Sequence, residues 1–317
     1  MGDKTKIEWC DATWSPIVGC TRVSEGCRFC YSERFMARFS GVPGHKFEGI
    51  SNFTPAGPHW SGIVRLSEKD LDQPLHWRKP KRIFVNSISD TFHEKVPDTW
   101  LHKIFNAMIV ANHHTYMILT KRPERMLEVT QQFFDGKDRE YIQQGVPKHI
   151  WLGVSCEDQK TADERIPLLL QTPAAVRFIS YEPALGPLSI RQWLHREEMV
   201  EQFPKQAIQR ISWVICGGES GPGSRLFDIQ WARDLRDQCK AAGTPYFLKQ
   251  LGTNPYDLKK FCLMLKANII TGTCMKLKAR KGGDWSEWPE DLRIREFPKV
   301  LPPDGAAPGA PDCPLPA

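Results

Sequence analysis

The 317-residue chain has no long apolar run. No window approaches the roughly 18 consecutive apolar residues that a membrane-spanning helix requires, so no membrane association is expected. The stretch Met1 to Trp9 is mixed and polar and carries no secretory signal; the expected location is the cytoplasm. No dense basic block like a nucleic-acid-binding tail is present. The nearest approximations, Arg78–Arg82 (RKPKR) and Lys276–Lys281 (KLKARK), read as solvated surface. No internal repeat is visible beyond an alternation of strand-like and helix-like segments. Three closely spaced cysteines near the N-terminus are followed by no nearby fourth cysteine or histidine, so no closed Cys₄ set is written locally.

The length suffices for one large α/β domain with a substantial core. The 41% hydrophobic and 25% charged fractions fit an ordinary soluble globular protein. A net charge of +6 and a pI near 8.7 permit a nucleotide or nucleic-acid partner without requiring one.

The middle of the chain repeats a short β-rich run, a polar cluster and a helical stretch. The runs are Arg82–Ser87, Thr115–Thr120, Ile150–Ser155, Val176–Ser180, Trp213–Cys216 and Tyr246–Leu248, with a first strand expected around Thr13–Gly19. They are nearly continuously apolar, which suits parallel strands covered on both faces. Asp98 is expected to cap a helix whose buried face carries Leu101, Ile104, Phe105, Met108 and Ile109. Asp228 is expected to cap another, bearing Trp231, Leu235 and Cys239 and stopped by Gly243. Such alternation implies right-handed βαβ units and a full or partial (β/α) barrel with parallel strands. The expected barrel domain spans 1–255. It is interrupted by a Gly/Pro-rich insertion at 41–80, a potential lid, and by a polar insertion at 191–210. A C-terminal extension, 256–300, and a disordered tail, 301–317, follow.

The strongest chemical signal is Gly19-Cys20-Thr21-Arg22-Val23-Ser24-Glu25-Gly26-Cys27-Arg28-Phe29-Cys30-Tyr31, directly after the first strand. Thiolates are soft ligands that favour iron–sulfur clusters or zinc. A cluster held by Cys20, Cys27 and Cys30 keeps one metal position open for a small molecule. The competing expectation is a structural zinc site completed by Cys10 or a histidine. Of the other cysteines, Cys156 and Cys216 sit in strand-like runs and Cys239 on a helix stripe, as small hydrophobes. Cys262, Cys274 and Cys313 have no partner at a ligand-like spacing.

Each expected strand also ends in polar groups: Ser87, Ser89, Asp90 and His93; Lys121 and Arg122; Ser155, Glu157 and Asp158; Glu182; Gly217, Gly218 and Glu219; Lys249 and Gln250. Function in (β/α) barrels gathers at these C-terminal ends.

A loop of three cysteines after strand one, ending C-x-x-C with aromatic Phe29 before the last, resembles the radical S-adenosylmethionine (SAM) superfamily. Six residues, Thr21 to Gly26, stand where that superfamily commonly has three. KTKIEWCDATWSPIVGC, RIFVNSISDTFHE, LTKRPERM, WLGVSCEDQKTADERIPLLLQTPAAVRFIS, VICGGESGPGSR and GDWSEWPEDLRIREFP resemble, from about Lys4 to Phe297, a phage- and prophage-associated family of three-Cys-motif, radical-SAM-like proteins. The resemblance implies a [4Fe–4S] cluster, SAM as cofactor, an external electron donor and a radical reaction on a substrate it does not name, with a nucleotide or nucleic acid as the working guess. Gly217-Gly218-Glu219 resembles the superfamily's Gly-Gly-Glu element, which binds the methionine amine, although that element normally follows strand two rather than strand six. Ser87 and Asp90 then occupy the usual place of that element, Ser155 and Glu157 that of ribose contacts, Lys121 and Arg122 are partners for the SAM carboxylate or a substrate phosphate, and Glu182 is a further contact. The alternative functions are a non-enzymatic nucleic-acid-binding protein with a structural metal site, and a metal-binding subunit of a complex whose partner is encoded nearby.

Overall fold

The computed structural model describes residues 5–135, 147–194, 210–257 and 275–299. Most of the expected 191–210 insertion and all of the 301–317 tail lie outside the described residues. The core is one seven-stranded sheet: β1 (Ala12–Trp14), β2 (Arg82–Val85), β3 (Thr115–Thr120), β4 (Ile150–Ser155), β5 (Val176–Tyr181), β6 (Trp213–Gly217) and β7 (Tyr246–Gln250). Neighbours follow chain order and every pairing is parallel. The strands β1 and β7 do not pair, so the sheet is a half-barrel rather than a closed one. No helix among the described residues is long and apolar enough to cross a membrane.

Five helices are described: α1 (Tyr31–Ala37), α2 (Asp98–Val110), α3 (Pro123–Asp135), α4 (Gln159–Gln171) and α5 (Ile229–Ala241). Successive same-handed crossovers in chain order place α2 to α5 on the convex face. Their buried stripes share one core with alternate strand residues: Leu101, Ile104, Phe105 and Met108 of α2, and Ile229, Ala232, Leu235 and Cys239 of α5, meet Ile83, Val85, Ile118, Leu152, Val214 and Leu248. Asp228 caps α5 by accepting from the Gln230 amide at 2.9 Å, and Gly243 ends it at φ +65°. Asp98 is not a cap. It is the first residue of α2, after Pro97, and its carboxylate pairs with Arg125 instead.

The other set of alternate residues points into the concave interior. At the N-terminal ends of the strands that set is aromatic and apolar: Phe84, Met117, Trp151, Phe178, Trp213 and Phe247. Trp9 and Phe297, from segments before β1 and after β7, pack in among them. Trp9 lies 4.5 Å from Phe84 and Phe297 lies 5.3 Å from Trp213, centroid to centroid. Gly153 of β4 belongs to this layer, because a Cβ there would lie 2.7 Å from the Phe178 ring.

Two expectations change in detail. The first expected strand is split: Ile17–Val18 leaves the sheet to pair antiparallel with Arg65–Leu66. The 41–80 segment contains a hairpin, Ser51–Thr54 with Gly57–Trp60. Its Phe47, Ile50 and Trp60 share a small core with Phe39, Met36 of α1, Val18 and Ile88, which packs the segment against α1. Residues 275–299 run back along β7, where the Leu248 amide donates to Ile294 O, and they bury Trp288 and Leu292 in the main core.

Candidate functional site

Along each strand the inner positions change character toward the C-terminal end. After Trp151 and Gly153 comes Ser155; after Val176 and Phe178 comes Ser180; after Trp213 and Ile215 comes Gly217; after Phe247 comes Lys249. Ser155 and Ser180 are register partners. The mouth of the half-barrel is thus polar, and the loop carrying Cys20, Cys27 and Cys30 crosses it.

Three clamps hold that loop. Arg122, just past β3, donates to Asp90 Oδ2 at 3.0 Å, to Glu94 Oε2 at 2.9 Å, and to the carbonyl and hydroxyl oxygens of Thr21 at 3.1 and 2.8 Å. Its Nη1 lies 3.8 Å from Cys20 Sγ. Burial disfavours the guanidinium charge, but Asp90 and the Cys20 thiol outweigh it and hold Arg122 above its ordinary pKa. Asp90 also accepts from Thr120 Oγ1 at 2.7 Å.

The second clamp is Glu157, only 1% exposed. It accepts from Ser24 Oγ at 2.9 Å and from Arg165 at 3.0 and 3.2 Å, and pairs with Lys121 at 3.2 Å. Burial raises its pKa, yet Lys121 and Arg165 overcome that and hold the carboxyl below its ordinary value. Gly26 is required where the loop crosses it, since a Cβ there would lie 2.3 Å from Glu157 Oε1.

The third clamp is the loop after β6. Glu219 is paired through both oxygens with Arg225, at 2.6 and 2.9 Å. Arg225 in turn lies 3.6 Å from Glu25 and over the Phe29 ring. Gly223, at φ +81°, approaches that ring so closely that a Cβ would sit 3.1 Å from it.

The sequence-expected residues therefore divide into two groups. Asp90, Glu157 and Glu219 are committed to arginines that fix the cysteine loop. Glu157 and Glu219, the expected ribose and amine contacts, are both buried and ion-paired with arginines. Gly217 and Gly218 shape the mouth: a Cβ on Gly217 would stand 3.4 Å from the Glu182 carboxyl, and one on Gly218 would strike Leu251 O at 2.4 Å. Ser87 offers its carbonyl oxygen to the Tyr31 hydroxyl and the Ser32 hydroxyl.

Four polar side chains remain on the interior wall. Lys121 Nζ donates to Ser155 Oγ at 2.8 Å, and Ser155 Oγ donates to Glu182 O at 3.2 Å. Glu182 accepts from Lys249 at 2.6 and 2.9 Å. Lys121, Glu182 and Lys249 lie deep in the fold yet keep 18–19% of their side-chain surface accessible, as groups lining a concavity do. Burial opposes the Lys249 charge, but Glu182 reverses that and raises its pKa. Burial likewise opposes the charge on Lys121, and Glu157 and the nearby Cys27 raise it.

All three loop cysteines are free and partly accessible. Burial and then the Asp90 carboxylate push the Cys20 thiol up to about 12, against the pull of Arg122, with Cys30 and Cys27 adding to the rise. Burial also raises Cys30, where Cys27 adds to the rise. The Cys20 and Cys30 thiols are thereby held protonated, and a bound metal would have to displace those protons. Among the described residues, no three His, Cys, Asp or Glu side chains converge to hold one metal ion. Cys10 cannot complete such a set, because it packs in the aromatic cluster at the opposite end of the interior. His93 has both ring nitrogens engaged, Nε2 with Thr21 Oγ1 at 2.9 Å and Nδ1 with the Lys95 amide at 3.1 Å.

Sequence reasoning missed Glu94, Arg165 and Arg225 as partners. Arg165 stands eight residues after Glu157, two turns into α4, and that spacing carried a usable signal. Arg225 sits six residues after Glu219 in a loop with no periodicity to reveal it.

A family model described as "Protein of unknown function (DUF5131)" matches residues 4–284. No curated protein and no solved structure matches the chain.

Proposed function

The chain belongs to that DUF5131 family, and from this premise we propose that it is a radical SAM enzyme whose [4Fe–4S] cluster is held by Cys20, Cys27 and Cys30. The observation that carries the proposal is the placement of the three thiols. They sit on the loop leaving β1, at the C-terminal mouth of an in-order parallel half-barrel, facing an interior wall of Lys121, Ser155, Glu182 and Lys249. A single zinc ion needs its ligands gathered about one centre, at about 2.3 Å per thiolate. A cubane takes each thiolate on a different iron, so its ligands stand further apart.

Held by Cys20, Cys27 and Cys30, a [4Fe–4S] cluster charged by an external donor would supply the one-electron chemistry for reductive cleavage of SAM. The chain's own residues bind, orient and shield. Lys121 and Lys249 offer ammonium donors for the carboxylate of the methionine moiety. Glu182, the accessible carboxylate, accepts from its amine or from ribose hydroxyls, and Ser155 adds a hydroxyl. Arg122, Glu157 and Arg225 fix the cysteine loop at both ends and in its middle. The aromatic cluster closes the interior from below and keeps water from that side.

The test is anaerobic reconstitution with iron and sulfide, then incubation with SAM and dithionite. Formation of 5′-deoxyadenosine by the wild type, and its loss in Cys27→Ala, is the expected result. A reconstituted protein that leaves SAM intact would end this reading.

A further inference from the structure

The short helix α1 follows Cys30 directly. It buries Ser32, Glu33, Met36 and Ala37 and turns Tyr31, Arg34, Phe35 and Arg38 outward. The spacing i, i+3, i+4, i+7 puts those four on one face. Tyr31 is 58% and Phe35 38% exposed, so two ring faces stand side by side on the helix surface. Arg34 and Arg38 have no anionic partner among the described residues, although almost every other arginine at the mouth is paired. The loop after β6, at Ser220–Pro222, forms the opposite wall, with Phe29 at one end. The groove so enclosed measures about 220 Å³.

We propose that this groove binds single-stranded nucleic acid, with backbone phosphates on Arg34 and Arg38 and bases stacked on Tyr31 and Phe35. Aromatic faces interleaved with unpaired arginines are what a single strand uses: every base has a π-face, and every phosphate takes a guanidinium. A duplex would offer the phosphates but hide the faces. An acidic peptide would use the arginines and leave the rings without a role. The Tyr31 hydroxyl donates to Ser87 O, which fixes the ring at the edge of the mouth. A strand held there passes beside the cysteine loop, so calling it the substrate rests on the radical SAM reading, whereas its binding does not.

The experiment is fluorescence anisotropy with labelled oligothymidine on the full chain, with no SAM added, across a salt series. Two phosphate contacts on a single strand predict log K falling against log salt with a slope of about −1.4. The Arg34→Ala/Arg38→Ala double variant should lose that slope. Tyr31→Ala should weaken binding about fivefold or more with the slope kept, and Tyr31→Phe should bind like the wild type. Circular dichroism of each variant checks folding. Equal binding of a duplex, competition by polyglutamate as strong as by unlabelled oligothymidine, or wild-type binding by the double variant would each overturn the proposal. Cys27→Ala separates the two readings. A variant that binds the strand but cannot form 5′-deoxyadenosine supports both, while 5′-deoxyadenosine formation by a wild type that binds no strand removes the groove alone.

Discussion

The two ends of the half-barrel interior are built from the same strands by the same alternation, yet they are opposites. At the N-terminal end Trp9, Trp151, Phe178, Trp213 and Phe247 fill the space with rings. At the C-terminal end the equivalent positions carry Ser155, Ser180, Gly217 and Lys249. The aromatic end stabilises through burial, roughly 25 cal/mol per Å² of apolar surface removed from water. The ionic end gains little from burial and has to pair almost every charge it holds. The first end holds the sheet together. The second end holds a loop in place and leaves a few charges, at Lys121, Glu182 and Lys249, within reach of a ligand.

Substitutions should separate these roles. Trp213→Ala removes the ring that contacts Trp9, Trp151, Phe178, Phe247 and Phe297. It should cost about 3–5 kcal/mol of stability in urea denaturation. At the other end, Glu157→Ala strands Lys121 and Arg165 as unpaired buried cations. It should cost about 3–5 kcal/mol, and it should also lower iron retention, because Ser24 loses its anchor. A Trp213 variant that lost iron per folded molecule as steeply as the Glu157 variant would erase the distinction between the ends.

Two glycines sharpen it further. Gly153→Ala presses a methyl into the Phe178 ring and should cost about 1–3 kcal/mol, with iron content per folded protein unchanged. Gly26→Ala meets the Glu157 carboxylate on an accessible loop. It should cost at least as much, about 1–3 kcal/mol, and unlike Gly153→Ala it should also reduce iron incorporation, read by metal analysis beside a melting curve.

The smallest effect is that of mild acid. Burial holds His93, His114 and His149 below the ordinary histidine pKa. The unfolded chain therefore binds these protons more readily than the folded one, and stability rises with pH. Their contribution is complete above the unfolded value of about 6.5 and is lost as pH falls through the lower folded values. The urea midpoint should be level from pH 8 to 7 and decline between about pH 6.5 and 5. Glu157, held below its ordinary value by Lys121 and Arg165 against its burial, adds a second decline only below about pH 4.5. A midpoint that rose on acidification to pH 5 would contradict this.

The strands themselves were legible in the sequence, because strands covered on both faces leave continuous apolar runs, whereas the ring cluster at their N-terminal ends was not. The strands at Thr115–Thr120 and Ile150–Ser155 fall where apolar runs place them, and the Asp228 cap with the Gly243 stop bounds α5. Where a polar requirement competes with burial, the reading shifts. The expected first strand breaks at Ser15-Pro16, and Ile17–Val18 pairs with a segment about fifty residues away. The residue types of the ionic end were legible, but its pairing was not. Glu157 and Glu219 look alike as strand-end carboxylates, and only the fold shows that arginines already occupy both, while Glu182 keeps an accessible face.

The most direct test is the iron and sulfide content of anaerobically reconstituted protein for the wild type, Cys20→Ala, Cys27→Ala, Cys30→Ala and Cys10→Ala. Ligation by the three loop thiols predicts about four irons per chain in the wild type. It predicts loss of the cluster in each of the first three variants and retention in Cys10→Ala, whose sulfur is buried at the aromatic end. A colourless wild type holding one zinc, or full iron content in Cys27→Ala, would contradict it.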